Sequence, residues 1–332
     1  MNDLNTWKTL GTQLRIDSIR STTAAGSGHP TSSMSAADLM AVLVTSHLRY
    51  DVASPHARGN DRLIFSKGHA APLLYAALKA MGALSDAQLM TLRKLGSPIE
   101  GHPVPTLPYV DVATGSLGQG LPMAVGMALA NKRLDPTGAR FWVLLGDSEM
   151  AEGSNYESFE LAAFYGLSNV VAILDMNRLG QRGPTMLGWD GEAYAGRARG
   201  FGWEVHLIDG HDFAAIDGAY SAAERATRPT FIVAKTKKGS GVSFVENKEG
   251  WHGKAMSRDE AQRALTELGW KEGTPSLVVK LAAATPLETR PMPAAGTLKL
   301  PTWEPGASVA TRKKSSTAPP PSPWLALASP CL

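Results

Sequence analysis

Residues 141–181 read FWVLLGDSEMAEGSNYESFELAAFYGLSNVVAILDMNRLGQ, and their pattern decides the fold. Two runs, 141–145 and 169–175, are apolar almost throughout. Strands buried on both faces of a parallel sheet have this composition, because helices cover each face. Between the runs, residues 156–165 carry a helical pattern, which makes the segment a strand–helix–strand unit. Outward from it, β-rich runs at 62–66, 204–208 and 230–234 alternate with helical stretches at 69–81, 117–134, 213–225 and 258–268. This alternation predicts an α/β fold, a doubly wound and mostly parallel sheet with helices on both faces.

In such sheets ligands bind beyond the carboxyl ends of the strands. The first run leads into Gly146-Asp147-Ser148-Glu149 and the second into Asp175-Met176-Asn177-Arg178-Leu179-Gly180-Gln181. Neighbouring parallel strands joined by one helix would bring Asp147 and Asn177 together across the 30 positions that separate them. A carboxylate, an amide oxygen and a loop carbonyl make a hard-oxygen set. Mg²⁺ takes one or two protein carboxylates and completes its octahedron with phosphate oxygens and water. Gly146 permits close backbone approach, and a helix starting near Gly153 offers its positive end to an anion. Without the paired spacing, the same residues read as turn chemistry at strand ends.

Composition narrows the function classes. The 332 residues are 43% hydrophobic and 19% charged, enough apolar material for a sizeable core, which excludes disorder of the whole chain. Thirty-three basic against 30 acidic residues leave a formal charge of only +3, with no long basic run, which argues against nucleic acid as a partner. The single cysteine, Cys331, rules out a disulfide framework or a cysteine metal site within the chain and fits a reducing compartment. Residues 1–8 lack the apolar core of a signal peptide, and no apolar run approaches the roughly 20 residues that span a bilayer. A cytoplasmic protein with no membrane partner is expected. Eleven of the 22 prolines fall in residues 273–332, which show no helical or strand periodicity. The expected organisation is a domain at 1–272, a linker at 273–313 and a low-complexity, disordered tail at 314–332.

A Gly-Asp motif, a connecting helix and an Asn ending the next strand resemble the signature of thiamine-diphosphate enzymes. Residues 146–181 look like the transketolase family in particular. The resemblance extends, in the family's order, through AAGSGHPTS (24–32), LIFSKGHAAP (63–72), GHP (101–103), DVATGSLGQGL (111–121), FGWEVHLIDGH (201–211), AKTKKG (234–239) and WHGK (251–254). It covers residues 5 to 313, and the wording is most similar to single-chain, animal-type transketolases.

That resemblance implies roles for individual residues. Asp147 and Asn177 would hold Mg²⁺, with Ca²⁺ or Mn²⁺ as alternatives, through side-chain oxygens, and Leu179 through its carbonyl. Gly115, Ser116 and Leu117 would run against the cofactor. Ser32, His69 and Ser148 would hydrogen-bond the diphosphate or its surroundings, with Lys67 and Lys238 as cationic partners and Gln181 near the aminopyrimidine. His29, His69, His102 and His252 would line the channel to the reactive carbon and handle protons at substrate hydroxyls, a task that suits imidazole. His29, Lys238, His252 and Arg312 would contact the sugar phosphate. Glu152 matches an acid in a proton-linked network between two active sites at a dimer interface, although a carboxylate starting a helix is also favoured by the helix dipole. His47, His56, His206 and His211 carry no such implication. The cofactor's thiazolium ring supplies the carbon chemistry, in which a two-carbon glycolaldehyde unit passes from a ketose phosphate to an aldose phosphate in the pentose phosphate pathway.

Two positions depart from the family pattern: Ser148 stands in place of glycine, and Tyr156 in place of tryptophan. None of the 332 residues is expected to form the family's second, pyrimidine-binding domain. Residues 298–313 (LKLPTWEPGASVATRK) resemble the family's linker, whereas KSSTAPPPSPWLALASPCL from Lys314 onward resembles nothing in it. The chain is therefore expected to be inactive without a pyrimidine-domain half. That half could come from a complementary subunit, or the sequence could be a truncated copy whose frame changes near Lys313. Homodimerisation is expected by analogy. Competing readings are another thiamine-diphosphate enzyme, such as 1-deoxyxylulose-5-phosphate synthase or a 2-oxo-acid dehydrogenase component, and a non-catalytic cofactor-binding module. A dinucleotide site is a poor match, since residues 115–120 lack the G-x-G-x-x-G order.

Overall fold

The structure, a computed structural model, describes residues 4–285 and 287. Among these residues five parallel strands make one sheet: β1 (Arg62–Phe65), β2 (Phe141–Gly146), β3 (Val170–Met176), β4 (Glu204–Asp209) and β5 (Thr230–Lys235). Their spatial order is β1-β2-β3-β5-β4. The chain steps outward from β1 to β3, jumps to the far edge for β4 and returns to β5. All five strands coincide with the expected runs to within a residue or two.

Among the described residues ten α-helices accompany them: α1 (Leu4–Ala25), α2 (Pro30–Ser35), α3 (Ala37–Val42), α4 (Ala71–Ala80), α5 (Asp86–Leu89), α6 (Gly120–Leu134), α7 (Gly153–Phe164), α8 (Gly191–Gly200), α9 (Phe213–Arg225) and α10 (Arg258–Glu267). Side-chain alternation along the strands sorts them into two layers. Trp142, Leu144, Val171, Ile173 and Ile232 pack on one face against α1, α3, α4 and α9. Phe141, Val143, Leu145, Ala172, Leu174 and Val233 pack on the other against α6, α7 and α8. With both faces covered, β2 and β3 are buried at every position, as their near-continuous apolar sequences require. A third cluster joins α1 to α10 through Ile16, Ile19, Val242, Val245 and Leu265.

Local chemistry sets several helix starts. Ser257 and Glu260 form a reciprocal capping box at α10, and the Asp212 side chain accepts two backbone N–H groups at α9. Pro30 occupies the first turn of α2, where its missing N–H is harmless. Beyond residue 272 the chain continues along the same unit. The N–H of Val279 donates to the Ala80 carbonyl at 2.8 Å, and that of Thr285 to Gly59 at 3.1 Å. Arg312 and the expected tail at 314–332 lie outside the described residues.

Candidate active site

Register brings the two loops together. Gly146 at the end of β2 lies opposite Asp175 of β3, so Asp147 and Asn177 are each the first residue beyond neighbouring strands. The Asp147 carboxylate accepts the Arg178 N–H at 2.5 Å and the Ser148 N–H at 2.9 Å. Asn177 donates its Nδ2 to Asp175 at 3.0 Å, which turns its amide oxygen away from that carboxylate and toward the Leu179 N–H at 3.2 Å. Register also pairs Met176 with Lys235 of β5, and the loop beyond it delivers Lys238.

A cavity of about 290 Å³ opens over these loops at the carboxyl ends of the strands. Asp147, Ser148, Asn177, Leu179 and Gln181 line it from the metal-loop side. Ser32, Lys67, Gly115, Leu117 and Lys238 line its remaining walls, together with His29, His69, His102 and His252. The four imidazoles form one cluster: His29 lies 5.2 Å from His69, 5.0 Å from His252 and 6.5 Å from His102, between ring centres. A side chain at Gly115 would place its Cβ 3.0 Å from the His102 ring, so glycine is what permits this approach.

Two expected site residues stand outside the cavity. Ser116 is exposed and does not line the cavity, although its neighbours Gly115 and Leu117 do. Glu152 is also exposed and outside the cavity; it precedes α7 without bonding that helix's free N–H groups. Its carboxylate thus caps no helix, and its exposure is compatible with the expected place at an interface between chains.

The sequence reading passed over the residues that hold the site in shape. Asp175 is wholly buried and receives hydrogen bonds from Lys67, Thr236, Ser35 (2.6 Å) and Asn177. Lys67, also buried, spends its charge on Asp175 and its remaining reach on the Ser32 carbonyl at 3.0 Å. It therefore forms the cavity floor with its charge already matched. Glu149 is buried as well, accepting from Ser66, from the Gly118 N–H at 2.8 Å and from the Gly146 N–H at 3.1 Å. One carboxylate so ties the ends of β1 and β2 to the loop that carries Gly115. The sequence signal was available: a charge just inside or beyond an apolar strand needs a partner.

Burial governs the electrostatics. Asp147 is pushed up to about 6 by desolvation, with the Asp175 charge adding to it. Lys238 is pushed down to about 8 by desolvation and the Lys67 charge. Desolvation and neighbouring positive groups lower His29 to about 4 and His252 to about 3, and depress His69 and His102 as well. The cluster is therefore neutral near pH 7. Lys238 donates to the Leu179 carbonyl at 2.8 Å and lies 2.7 Å from His252 Nδ1. An ammonium can only donate, so His252 carries its proton on Nε2.

The donor set fits a diphosphate held through a divalent ion. Asp147, Asn177 and the Leu179 carbonyl are hard oxygen ligands on one wall. Ser32 Oγ, which lines the cavity, is a buried hydroxyl with no hydrogen-bond partner, as is His29 Nδ1 among ring nitrogens. Among the described residues no group of three or more His, Cys, Asp or Glu converges on a metal position; the site's ligand capacity comes from neutral oxygens around one carboxylate. A larger hollow of about 700 Å³ lies between α1 and residues 268–277. There Gln13 is paired with Leu277, and Arg20 with Asp17 and Asp86, and none of the metal-loop residues or clustered histidines line it, so size does not make it the site.

The family described as "Transketolase, thiamine diphosphate binding domain" matches residues 7–304. The chain belongs to this transketolase family. Transketolase of Homo sapiens is 44% identical over 313 residues, which cover 93% of this chain and 49% of that protein. Transketolase-like protein 2 of Homo sapiens is 43% identical over 305 residues, covering 91% and 48%. Among solved structures, transketolase from Campylobacter jejuni aligns with a TM-score of 0.77 at 32% identity, over 84% of this chain and 45% of that one. A Pichia stipitis transketolase in complex with sedoheptulose-7-phosphate aligns with a TM-score of 0.75 at 29% identity, over 83% and 42%. The chain spans about half the length of the curated transketolases it matches. No helix among the described residues is long and apolar enough to cross a membrane.

Proposed function

We propose that this cavity binds thiamine diphosphate with a divalent ion, Mg²⁺ by preference, and that the chain serves transketolase-type transfer of a two-carbon glycolaldehyde unit between sugar phosphates. The observation that carries the reading is the convergence of Asp147, Asn177 and the Leu179 carbonyl beside Lys238 and the unpartnered Ser32 hydroxyl. The bound cofactor would supply an electron-accepting ring for the carbon chemistry. The chain's own residues bind, orient and move protons. Asp147, Asn177 and Leu179 would hold the ion; Ser32 and Lys238 would donate to phosphate oxygens; Gly115 and Leu117 would shape the wall beside them.

The histidines would serve the sugar. Neutral imidazoles can accept a proton from one hydroxyl and return it to another, which a permanently charged ring cannot do. His252, with its proton on Nε2, can donate from that nitrogen, and His29 Nδ1 has no partner within the protein. The reading extends to a ketone-group transferase of the pentose phosphate pathway, cytoplasmic, working as a homodimer or with a complementary pyrimidine-domain subunit. By itself the 332-residue chain would show no substantial ketol transfer. Calorimetry on that chain tests the core of the reading: thiamine diphosphate should bind in Mg²⁺ and weaken sharply in EDTA. Equal affinity in both, or no binding in either, would count against it. A coupled ketol-transfer assay showing full turnover by the chain alone would overturn the inactivity.

A further inference from the structure

One histidine that the sequence left without a role is bonded at both ring nitrogens. Asp209 of β4 pairs with Lys235 of β5, so His211 and Lys237, each two residues further on, emerge side by side. His211 Nδ1 lies 2.8 Å from the Asp38 carboxylate, and the Lys237 main-chain N–H donates to Nε2 at 3.0 Å. The partners fix the proton. A peptide N–H can only donate and an ionised carboxylate can only accept, so the ring is neutral with its hydrogen on Nδ1. Asp38 is kept ionised: burial pushes its carboxyl up, but Arg15, gripping it at 2.7 and 2.6 Å, and His211 outweigh that and hold it below the usual range. A fixed chain thus runs from Arg15 in α1 through Asp38 in α3 and His211 to the turn after β5.

The next residue in that turn is Lys238, whose ammonium reaches the Leu179 carbonyl and His252 Nδ1 inside the cavity. We propose that His211 is a positioning residue: its neutral imidazole, oriented by Asp38, latches the main chain at Lys237 and so fixes where the Lys238 ammonium stands. The proposal rests on the reading of Lys238 as the cation facing a diphosphate, and it adds the residue that aims it. A second role would be merely to tie the ends of β4 and β5 together, and the two roles have different consequences.

The test uses the 332-residue chain and long-range ¹H–¹⁵N NMR of its histidine rings at neutral pH. The expected result is Nδ1–H on His211, and on His252 an unprotonated Nδ1 that accepts a hydrogen bond. In His211→Ala the His252 Nδ1 resonance moves in the same direction as in Lys238→Met. Affinity for thiamine diphosphate with Mg²⁺ falls about fivefold, the scale of one ordinary hydrogen bond. His211→Gln, whose amide offers both a donor and an acceptor, recovers both readouts. In a Lys238→Met background, His211→Ala causes no further loss of affinity. An imidazolium or an Nε2–H ring at His211 overturns the proposal. So does an unmoved His252 resonance in folded His211→Ala, or additive losses in the double variant, which would leave only the strand tie. Should His211→Ala fail to fold, the wild-type tautomer and the His211→Gln spectrum decide. If the wild-type chain binds no thiamine diphosphate, the reading of the cavity fails while the ring spectra still decide the latch.

Discussion

Lys67→Met would remove one half of the ion pair under the cavity while keeping a stem of similar length. The Lys67 side chain is 1% exposed, and its ammonium pairs with Asp175, which is fully buried. In the variant that carboxylate keeps only Ser35, Thr236 and Asn177 as donors. Breaking a buried pair from one side costs about 3–5 kcal/mol, a large part of an ordinary domain's stability of about 5–15 kcal/mol. The pH dependence identifies the cause. In the native chain, burial pushes the Asp175 carboxyl up, but Lys67 and the hydroxyls of Ser35 and Thr236 hold it below the usual range. A depressed folded-state value contributes stability above the unfolded value, near about 3.9, and loses it only as pH falls through the folded one. Without Lys67 the balance tips toward burial and the value rises. The folded variant then takes up a proton more readily than its unfolded chain, so the penalty shrinks as pH falls from 7 to 5. Urea unfolding at both pH values, on the wild type, Lys67→Met and Lys67→Met/Asp175→Asn, reads this directly. The double variant should be more stable than the single one at pH 7. A loss below about 1 kcal/mol, or one identical at both pH values, would refute the reasoning.

Other perturbations follow from the same geometry. His29 is held near about 4 by burial, with His102 and Arg93 contributing; the unfolded chain therefore takes up that proton first, and stability falls as pH drops from about 6.5 toward 4, by at most about 1.4 kcal/mol per unit for one group. His29→Asn should flatten that slope in urea melts, and an unchanged slope would show that this ring is not the source. Glu149→Ala strips the acceptor from the Gly118 and Gly146 N–H groups, each costing about 1–3 kcal/mol when buried and unpaired. Chemical denaturation should show a total loss of about 2–6 kcal/mol, and wild-type stability would mean that the carboxylate does not tie those loops.

The architecture was legible because it rests on short-range patterns with strong physical causes. Two strands sealed on both faces must be apolar throughout, and 141–145 and 169–175 are. Five helices escaped, α1, α2, α3, α5 and α8, and two of them show why. The interior of α1 is rich in Ser and Thr, which obscure an apolar stripe; in the folded chain Thr12, Ser18, Ser21 and Thr22 bond back to carbonyls four residues earlier and so cost the helix little. Helix α8 contains Gly191, Gly196 and Gly200, poor helix formers that only the tertiary setting makes helical. Within the site, Asp147 and Asn177 came from the paired spacing of the two strand ends, and the other expected cavity-lining residues from the resemblance to the transketolase family. Asp175, Glu149 and the Asp38–His211 pair did not, because the contacts Lys67–Asp175, Ser66–Glu149, Asp38–His211 and His211–Lys237 span from 26 to 173 positions. A buried charge announces in sequence only that it needs a partner, never which one.

The charges lining the cavity bear on how a diphosphate could enter it at all. Lys67 is cancelled by Asp175, the Glu149 carboxylate is enclosed by three donors, and the histidines are neutral near pH 7. Lys238 and Asp147 remain, one positive and one negative. Unit charges 5 Å apart at an effective dielectric constant near 20 interact by about 3 kcal/mol, so Lys238 attracts a bare diphosphate about as strongly as Asp147 repels it. A divalent ion converts the carboxylate from an opponent into a ligand. Asp147→Asn should therefore have opposite effects in two buffers. With Mg²⁺ present, thiamine diphosphate should bind about 10–100-fold more weakly, the scale seen when metal sites lose supporting groups. In EDTA it should bind more tightly to the variant than to the wild type. Calorimetry gives both numbers, and a change of the same sign in both buffers would remove Asp147 from the metal site.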